Sequence, residues 1–584
     1  MRLVLMFSCI LLGFMSARAG LVEDYISIPG EQQYSEVSVK VDGQPVFVHQ
    51  HVTGNMGYVH FSFTGQIRIE VTAAAGVAML DGVRPRPLNI ASTRNGNTQS
   101  FTIDKPFNYV IKRNDFDVLL AIFAEAPMAD IPVVNGTTVR TAASFGITTG
   151  NSALQTQKIN DAISTISGSG GGTLFFERGV YNSSTIFMKN NVQIWLDAGT
   201  KIMASGSWSD YPQLPNKPAG TWANAAFVYW DHTVNAKIRG HGILDANGQS
   251  LKLPFPQTTE RDGRHQFFSS ARNSVIEGVR IMNSTNWTIH PVDCDTILFK
   301  NVHVMNQAAC CWVDQFDIDG CRYVTLENCF TYGGDDGFCI KSQSSVKRAI
   351  TDITVRNTSI YSTSSNGFRL GANASEGNWS SCRNVLWENV HILRAGEGGF
   401  RFQLCGSANN ENWRFSNCFV ESNAGYAIDL GNTSWSGNCS TPAPVTNNIT
   451  WENLDLYGRT DIVIQDATNV TLKCIRVNGV VRTGAGYTGC QSTVAKPAPA
   501  VSAPLLSGLT FQGSRFLING RDTWSVRIIS SSGAVVKRIG GKGPALIDMK
   551  GVGMSAGIYI ANIESIGTSA FSGKRVSQTF VVGN

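Results

Sequence analysis

One short pattern recurs along the middle of the chain and restricts the folds that are open to it. An apolar residue, a spacer and an asparagine recur at six places, which end at Asn301, Asn328, Asn357, Asn389, Asn417 and Asn453. Successive asparagines are 27, 29, 32, 28 and 36 residues apart. These separations fit a solenoid with one coil per repeat and loops of variable length on one side. We therefore expect a right-handed parallel β-helix over residues 138–490, in which each coil buries its apolar residues only against its neighbours.

Two features support this expectation. Asparagine at one recurring turn can stack on its counterparts and hydrogen-bond to the turn backbones. Ahead of the repeat, a helix is predicted from Ala153 to Ile166, with Ile159, Ala162 and Ile163 on the same face as Ile166. Such a helix would cover the end of the solenoid, where the terminal coil otherwise exposes its core and a sheet edge.

The segments on either side of the repeat predict separate β modules, so the fold class is all-β. Residues 20–137 contain short runs with period-2 alternation, such as 36–41, broken by Gly and Asp-Gly, which predicts an N-terminal antiparallel β-sandwich. Residues 491–504 are rich in Pro and Ala and predict a semi-rigid linker. Residues 505–584 predict a small C-terminal β module, which could bind carbohydrate, attach the protein to a surface or be a simple appendage.

The beginning of the chain predicts export. A basic start at Arg2, an apolar run over 3–15 and an Ala-Arg-Ala motif at 17–19 are typical of a secretory signal peptide over residues 1–19. The run is shorter than the roughly 20 residues that cross a membrane. We therefore expect a secreted protein, extracellular or periplasmic, that is cleaved near Ala19 and has no membrane span.

Charge and cysteine content limit the classes of partner and cofactor that we expect. Charged residues make up only 16% of the chain, and the net charge of +5 includes no dense basic run, so no nucleic-acid partner is expected. Twelve of the 13 cysteines lie between Cys294 and Cys490 at irregular spacings, without a paired Cys-x-x-Cys motif. We expect no metal or other cofactor, and the pairing of these cysteines stays open.

The densest chemical signal is a set of three aspartates. Asp314 lies within residues 312–318, and Asp335 and Asp336 lie within the Gly-rich segment 333–338. The separation of 21 residues between Asp314 and Asp335 is about one coil, which corresponds to one strand spacing of about 4.8 Å. Three carboxylates on one surface repel each other, so at least one should have a raised pKa. Glycoside hydrolysis needs this arrangement, with one carboxyl protonated and one ionised. A turn that caps backbone amides or binds calcium is the alternative.

The same part of the chain resembles the pectinase group of glycoside hydrolases, family 28, whose best-known members are polygalacturonases. The likeness runs through most of 138–480, and its main segments are 161–163, 170–176, 196–200, 240–245 and 286–292. The family's Asn-Thr-Asp-Gly-x-Asp motif falls on 312–317, and its Gly-Asp-Asp motif on 334–336. The resemblance implies an inverting hydrolase of a pectic polysaccharide, with Asp335 as the acid and with Asp314 and Asp336 holding and deprotonating the water.

Further residues are predicted to contact the substrate. They are Trp287, His290, Trp312, Gln315, Lys341, Asn366, Arg369 and Arg401. The two tryptophans could stack on sugar rings or pack within the solenoid. The segment that contains Trp287 and His290 is close to one that lines the substrate groove in family 28.

Two positions depart from the family pattern. The histidine of the family's Gly-His-Gly motif is Asn366 here, and its Arg-Ile-Lys motif is 401–403, where Arg401 is kept and the lysine is lost. Because a uronate carboxylate prefers a paired cation, the loss weakens the case for galacturonate at the central subsite. Arg369 or Lys341 could compensate.

Two other interpretations stay open. Dextranases and isopullulanase, family 49, also join an N-terminal β-sandwich to a β-helix with three aspartates, so an α-glucan substrate is the second choice. A non-catalytic carbohydrate-binding or adhesin β-helix is the third, because replaced motif residues can mark lost activity.

Overall fold

Stacked coils form the middle of the chain, and each coil adds one strand to up to three parallel sheets. We call these sheets A, B and C, in the order in which each coil reaches them. Sheet A consists of Val139–Thr141, Gly172–Phe176, Val192–Leu196, Lys237–Gly240, Arg272–Glu277, Asp295–Lys300, Arg322–Glu327, Ile350–Arg356, Cys382–Glu388, Asn410–Ser416, Thr446–Leu456, Ala467–Val477 and Tyr487–Thr488, with Val480–Val481 at its edge. Sheet B consists of Gly179–Ser183, Thr200–Ala204, Ile243–Asp245, Arg280–Met282, His303–Met305, Phe330–Gly333, Ser359–Ser362, His391–Arg394 and Phe419–Val420. Sheet C consists of Ile186–Phe187, Ala223–Asp231, Asp262–Ser269, Ile289–Val292, Asp317–Asp319, Phe338–Lys341, Phe368–Leu370, Phe400–Gln403, Ile428–Gly431 and Ile462–Ile464.

This architecture is the predicted right-handed parallel β-helix. The computed structural model describes residues 20–490 apart from 52–54, 220, 222, 252–261, 309–311, 372–379, 404–408, 422, 432, 435–436, 439–445, 466 and 485, and the backbone of the strands between 509 and 582. The predicted signal peptide and linker lie outside the described residues. Within the described part, no helix is both long enough and apolar enough to cross a membrane.

Alternation along each strand builds a continuous core. In Asp295–Lys300 every second residue is buried, and its inward side chains Ile297 and Phe299 lie one coil from Val324 and Leu326. Since successive strand residues point to opposite faces, the same register places apolar side chains in columns through the solenoid. The core therefore forms only when neighbouring coils are stacked.

The recurring asparagines close each turn from sheet A to sheet B. All six adopt the left-handed backbone conformation, with φ between 50° and 60°. Their side-chain amides form a ladder: Asn328 Nδ2 donates to Asn301 Oδ1 at 3.0 Å, and Asn389 Nδ2 donates to Asn357 Oδ1 at 2.8 Å. Asparagine tolerates this conformation better than most residues, and its side chain also joins successive turns. The amides thus bond to each other, and the backbone N–H groups of the turns bond to carbonyls one coil on.

A helix covers the first coil. It spans Thr156–Gly168, and its buried residues are the predicted four, Ile159, Ala162, Ile163 and Ile166. The helix begins three residues later than predicted, because Gln155 is tied to the preceding turn by two hydrogen bonds with the Thr148 backbone, both of 2.8 Å. The other helices are short: Gly248–Leu251 is a single α turn, and Arg86–Leu88, Ala143–Phe145 and Trp208–Asp210 are 3-10 turns.

The N-terminal region is a two-sheet sandwich. One sheet contains Gly20–Asp24, His49–His51, Met56–Thr64, Phe107–Lys112 and Val118–Glu125, and the other contains Val37–Val41, Gln44–Val46, Ile67–Ala73, Ser92–Asn95 and Thr98–Ile103. Its strand pairs are antiparallel as predicted, except that Val118–Glu125 runs parallel to Met56–Thr64. Outward side chains of the first sheet, including Tyr58 and Phe123, pack against Met305 and Phe330 of sheet B. The sandwich therefore covers the outer surface of sheet B.

The C-terminal strands form sheets of their own. Residues 505–584 contain two antiparallel sheets, formed by Leu509–Gln512, Arg515–Ile518 and Ala545–Asp548, and by Thr523–Ser530, Val535–Lys542, Gly557–Ile566 and Arg575–Val582. A short hairpin pairs Thr433–Ser434 with Gly437–Asn438. Of the described cysteines, Cys474 and Cys490 form a disulfide, whereas Cys294, Cys321, Cys329, Cys339, Cys382 and Cys418 are buried free thiols.

The asparagine ladder makes a measurable contribution to stability. We expect Asn389→Ala to lower the free energy of unfolding by about 1–2 kcal/mol, because it removes one ladder hydrogen bond and places a Cβ-bearing residue without a polar side chain at φ 58°. Asn389→Gly should cost less, since glycine accepts this φ. Guanidinium unfolding followed by circular dichroism compares the two. Equal losses in both variants would show that the backbone conformation carries no cost at this turn.

Candidate functional site

Three aspartates meet where sheet B turns into sheet C in two neighbouring coils. The Gln315 backbone N–H donates to the Asp336 carbonyl oxygen at 3.0 Å, and Asp317 pairs with Cys339 in sheet C. Asp314 therefore lies beside the pair Asp335 and Asp336, one coil away, as the spacing predicts. Carboxylate oxygens of Asp314 and Asp336 and the Cys339 sulfur all lie within 4.8 Å of one another.

Glycines allow the coils to approach at this point. A Cβ on Gly337 would lie 2.3 Å from Ile360 Cγ2 and 2.8 Å from the Gly367 carbonyl oxygen. A Cβ on Gly333 would lie 2.5 Å from Gln315 Nε2. Because real side chains do not tolerate such distances, the glycines on either side of the aspartate pair are needed for close stacking of three coils. This explains the Gly-rich context of the motif.

Asp335 is the most accessible of the three aspartates. It is partly exposed, whereas Asp314 and Asp336 are buried. Its carboxylate accepts hydrogen bonds from the backbone N–H groups of Trp312, at 2.7 Å, and Asp336, at 2.8 Å. Burial, followed by the nearby charges of Asp314 and Asp336, raises the pKa of Asp335 well above its ordinary value. Trp312 holds its N–H in place from the left-handed region, at φ 66°.

Asp336 has the opposite electrostatic environment. Its carboxylate accepts hydrogen bonds from Ser365 Oγ at 2.6 Å and from the backbone N–H and the side-chain amide of Asn366 at 2.9 and 3.0 Å. Arg369 Nη1 contacts it at 3.1 Å. Burial opposes ionisation, but the guanidinium and these hydrogen bonds outweigh it and lower the pKa of Asp336 to about 2. Gln403 Oε1 accepts two hydrogen bonds from Arg369, at 2.6 and 2.9 Å, and fixes the guanidinium.

A buried lysine lies behind Asp314. Lys341 Nζ is 2.7 Å from Asp314 Oδ2 and 2.9 Å from Asp317 Oδ1. Burial raises the pKa of Asp314 to about 7, the Lys341 charge opposes this rise, and the nearby Asp317 and Asp336 add to it. The two carboxylates outweigh the burial of Lys341 and raise the pKa of its ammonium, which therefore stays charged. The three aspartates thus differ in protonation although they share one site.

Several predicted contact residues lie beneath the surface. Trp287, His290 and Gln315 are no more than 1% exposed. Lys341 Nζ lies 3.3 Å and the Arg264 guanidinium carbon 4.7 Å from the centroid of the Trp287 ring, so two cations lie against a ring that a sugar would have to reach. The structure therefore corrects the expectation of direct sugar stacking by Trp287. Its ring, with His290 and Gln315, supports the residues that carry the charges.

Other predicted residues lie nearer to solvent. Trp312 and Arg401 are partly exposed. Arg401 Nη1 forms an ion pair with Glu397 Oε2 at 2.8 Å, and Asn366 Nδ2 donates to the same oxygen at 3.1 Å. Through Glu397, Arg401 is linked to Asn366 and hence to Asp336.

Some members of the site carry weaker signals in the sequence. Asp317 stands in the same motif as Asp314, as one further carboxylate. Glu397 precedes Arg401 by four residues, and this spacing of opposite charges was its only signal. Arg264 lies in the strand Asp262–Ser269, outside every motif, and only the stacking of coils brings it to Trp287.

The carboxylates could also attract a cation. Asp314, Asp336 and Cys339 have the spacing of metal ligands. However, Lys341 and Arg369 already contact these two carboxylates and supply two positive charges. The residues at this site therefore fit a metal ion poorly, because an ion would displace or repel both cations.

The fold and the site define a parallel β-helix protein with a cluster of buried carboxylates at the turn between two of its sheets. Residues 190–495, more than half of the chain, match the family model described as glycosyl hydrolases family 28. The chain belongs to this family. The resemblance to family 28 that the motifs indicate is confirmed.

Individual relatives are distant. A "Probable polygalacturonase" of Vitis vinifera is 22% identical over 218 residues, 34% of this chain and 43% of that protein. A "Probable exopolygalacturonase B" of Aspergillus terreus (strain NIH 2624 / FGSC A1156) is 25% identical over 267 residues, 42% of this chain and 58% of that protein. The chain thus spans about half of the length of these relatives. The solved structure of a hyperthermoactive exopolygalacturonase from Thermotoga maritima is 18% identical, with a TM-score of 0.49 over 70% of this chain and 95% of that one.

The opposite environments of Asp335 and Asp336 predict opposite effects on stability. Asp335→Asn should be more stable than the wild type at pH 8. In the unfolded chain the Asp335 carboxyl ionises above about pH 3.8, whereas in the folded protein its pKa lies well above that value. The wild type therefore loses stability as the pH rises toward the folded-state pKa. Asp336→Asn should lose roughly 3 kcal/mol at pH 8, because Arg369 then lacks its buried partner.

Melting temperatures at pH 4 and pH 8 measure both effects. The gain in Asp335→Asn should be larger at pH 8 than at pH 4. The Asp336 contribution should persist at pH 4, since it is lost only as the pH falls toward about 2. Equal destabilisation by both substitutions at pH 8 would contradict a raised pKa for Asp335.

Proposed function

We propose that this chain is a secreted glycoside hydrolase that cleaves a pectic polysaccharide with inversion at the anomeric carbon. One observation carries the proposal: a carboxyl with a strongly raised pKa, Asp335, lies beside one with a pKa of about 2, Asp336, in a single site. Glycoside hydrolysis requires such a pair, one to give a proton and one to remain ionised. Family membership and the names of the two relatives favour a pectic substrate.

Each aspartate has a role in this scheme. Asp335, protonated and accessible, donates its proton to the glycosidic oxygen, and the bond from that oxygen to the anomeric carbon breaks. A water held by Asp314 and Asp336 attacks that carbon and gives one proton to a carboxylate. With a pKa of about 7, Asp314 is the better acceptor, because Asp336 is held ionised by Arg369. Proton exchange with solvent then restores both groups.

The supporting residues have positioning roles. Lys341 orients Asp314, and Arg369, fixed by Gln403, orients Asp336. Trp287 lies against Lys341 and limits its movement. We assign sugar contact to Trp312, because it is partly exposed beside Asp335. Export through residues 1–19 and attachment through residues 505–584 remain predictions from the sequence.

A second candidate is hydrolysis of a neutral glycan such as an α-glucan. The observation that favours it is that the three cations predicted to contact the substrate, Lys341, Arg369 and Arg401, already contact carboxylates of the protein. A uronate carboxylate bound here would have to compete with these partners. The charge balance at the site is therefore less favourable for an anionic sugar than its number of cations suggests.

Replacement of the proposed acid tests the reaction. Asp335→Asn should lower kcat for reducing-sugar release by at least about a hundredfold, because general acid catalysis contributes this much. The wild type is assayed on polygalacturonate, rhamnogalacturonan and dextran, and nuclear magnetic resonance identifies the first anomer released. Activity on dextran alone would favour the second candidate. If no glycan in a broad panel is cleaved, a carbohydrate-binding role replaces the hydrolase.

Release of Arg401 from its partner tests the substrate charge. Glu397→Gln should raise kcat/KM on polygalacturonate about 5- to 10-fold relative to a neutral glycan, since Arg401 becomes available to a uronate carboxylate. Glu411→Gln, which removes an exposed partner of Arg383 in sheet A, is the matched control and should change neither rate. An unchanged ratio in Glu397→Gln would show that no uronate binds beside Arg401.

A further inference from the structure

A second cluster of ionisable side chains lies outside the aspartate site, where the sandwich packs on the β-helix. His60 and Glu125 come from the adjacent sandwich strands Met56–Thr64 and Val118–Glu125. His241 and His303 come from two turns of the β-helix, in residues 240–243 and at the start of His303–Met305, and the coil that carries Arg280 lies between them. All four residues are 4% exposed or less. Two layers of the protein thus each contribute two side chains to one buried point.

Most polar atoms of this cluster lack hydrogen-bond partners within the described part of the chain. Within the described part of the chain, both ring nitrogens of His60, both carboxylate oxygens of Glu125, His241 Nε2 and His303 Nδ1 form no hydrogen bond. His60 Nε2 lies 3.1 Å from Glu125 Oε1, yet the two are not aligned as donor and acceptor. Buried polar groups without partners are rare in native proteins, and so many at one point indicate a shared ligand.

Three of these residues have the spacing of metal ligands, and the fourth lies beside them. Ligand atoms of His60, Glu125 and His303 all lie within 4.8 Å of one another, with Glu125 Oε1 3.1 Å from His60 Nε2 and 3.5 Å from His303 Nε2. His241 Nε2 lies 3.8 Å from the other oxygen, Oε2. Bonds of about 2.0–2.1 Å to zinc place two tetrahedral ligands about 3.3 Å apart. Three imidazoles and one carboxylate are also ligand types that zinc prefers.

Groups around this cluster affect its charge and the tautomer of His303. His303 Nε2 lies 3.1 Å from Asn108 Oδ1, so metal binding at Nε2 would move the imidazole proton to Nδ1. Arg280 is buried nearby and donates to the His241 carbonyl oxygen at 2.6 Å. Its charge opposes a second cation at this point. Burial raises the pKa of Glu125 well above its ordinary value, against a smaller opposing effect of Arg280, and burial also lowers the pKa values of His60 and His303.

We propose that His60, Glu125 and His303 bind one divalent transition-metal ion, for which zinc is the best match, and that the nearby His241 imidazole closes on the ion as the fourth ligand. The ion joins the sandwich to sheet B and is structural, since four protein ligands leave no open position for a substrate. This site is independent of the aspartates and of the proposed hydrolase activity.

Metal analysis of the full chain tests the proposal. The protein is produced without a polyhistidine tag, unfolded in chelator, and refolded with or without zinc chloride. We expect about one zinc per chain after refolding with zinc and removal of free ion, and a melting temperature several degrees above that of the metal-free protein. Cobalt in place of zinc should give the strong visible absorption of a four-coordinate site.

Variants locate the ion. His60→Ala and Glu125→Gln should each lose at least nine tenths of the bound zinc. His391→Gln is the matched control, because His391 is equally buried on sheet B and packs against Phe107 of the sandwich without belonging to the cluster. It should keep its zinc. If the cluster variants do not fold, the cobalt spectrum of the wild type decides whether a four-coordinate site is present. Less than a tenth of a zinc per chain, with no zinc-dependent change in melting and no cobalt bands, would overturn the proposal.

Discussion

Hydrogen bonding between parallel strands of successive coils is the interaction on which the rest of this structure depends. It fixes the height of each coil at one strand spacing, so that every inward side chain meets its counterpart in the next coil. The left-handed asparagine turns keep the coils in register, and their amides join one turn to the next. Without this stacking no coil could bury its apolar residues, and the aspartates would not meet.

The regular stacking of coils also assembles the aspartate site. Asp314 belongs to one coil and the aspartate pair to the next, while Arg369 and Gln403 come from two further coils of sheet C. Each of these coils thus adds at least one group to the surroundings of the carboxylates. Burial penalises every ionised carboxyl. Cations accompany Asp314 and Asp336, whereas Asp335 has no cation contact among the described ion pairs, so the pKa values of the three carboxyls are shifted differently.

The sandwich packs on the β-helix through both apolar and polar contacts. It covers the outer surface of sheet B with apolar residues such as Tyr58 and Phe123, and it also brings polar residues into the same interface. Glu421, in the β-helix, accepts a hydrogen bond from Arg84 of the sandwich at 2.8 Å, with both side chains largely buried. Interfaces of this kind are costly to separate, because each charge would lose its partner.

The sequence alone determined the solenoid, the cap helix and the carboxylate trio. Period-2 alternation and recurring asparagines specify strands and turns locally, and the 21-residue separation places Asp314 one coil from Asp335. Only the tertiary structure decided which side chains reach solvent: Trp287 lies beneath Lys341 and Arg264, and Glu397 pairs with Arg401. It also decided that histidines more than 180 residues apart in the chain meet at one point, as His60 and His241 do. Such contacts depend on loop paths and on packing between layers, which no local pattern encodes.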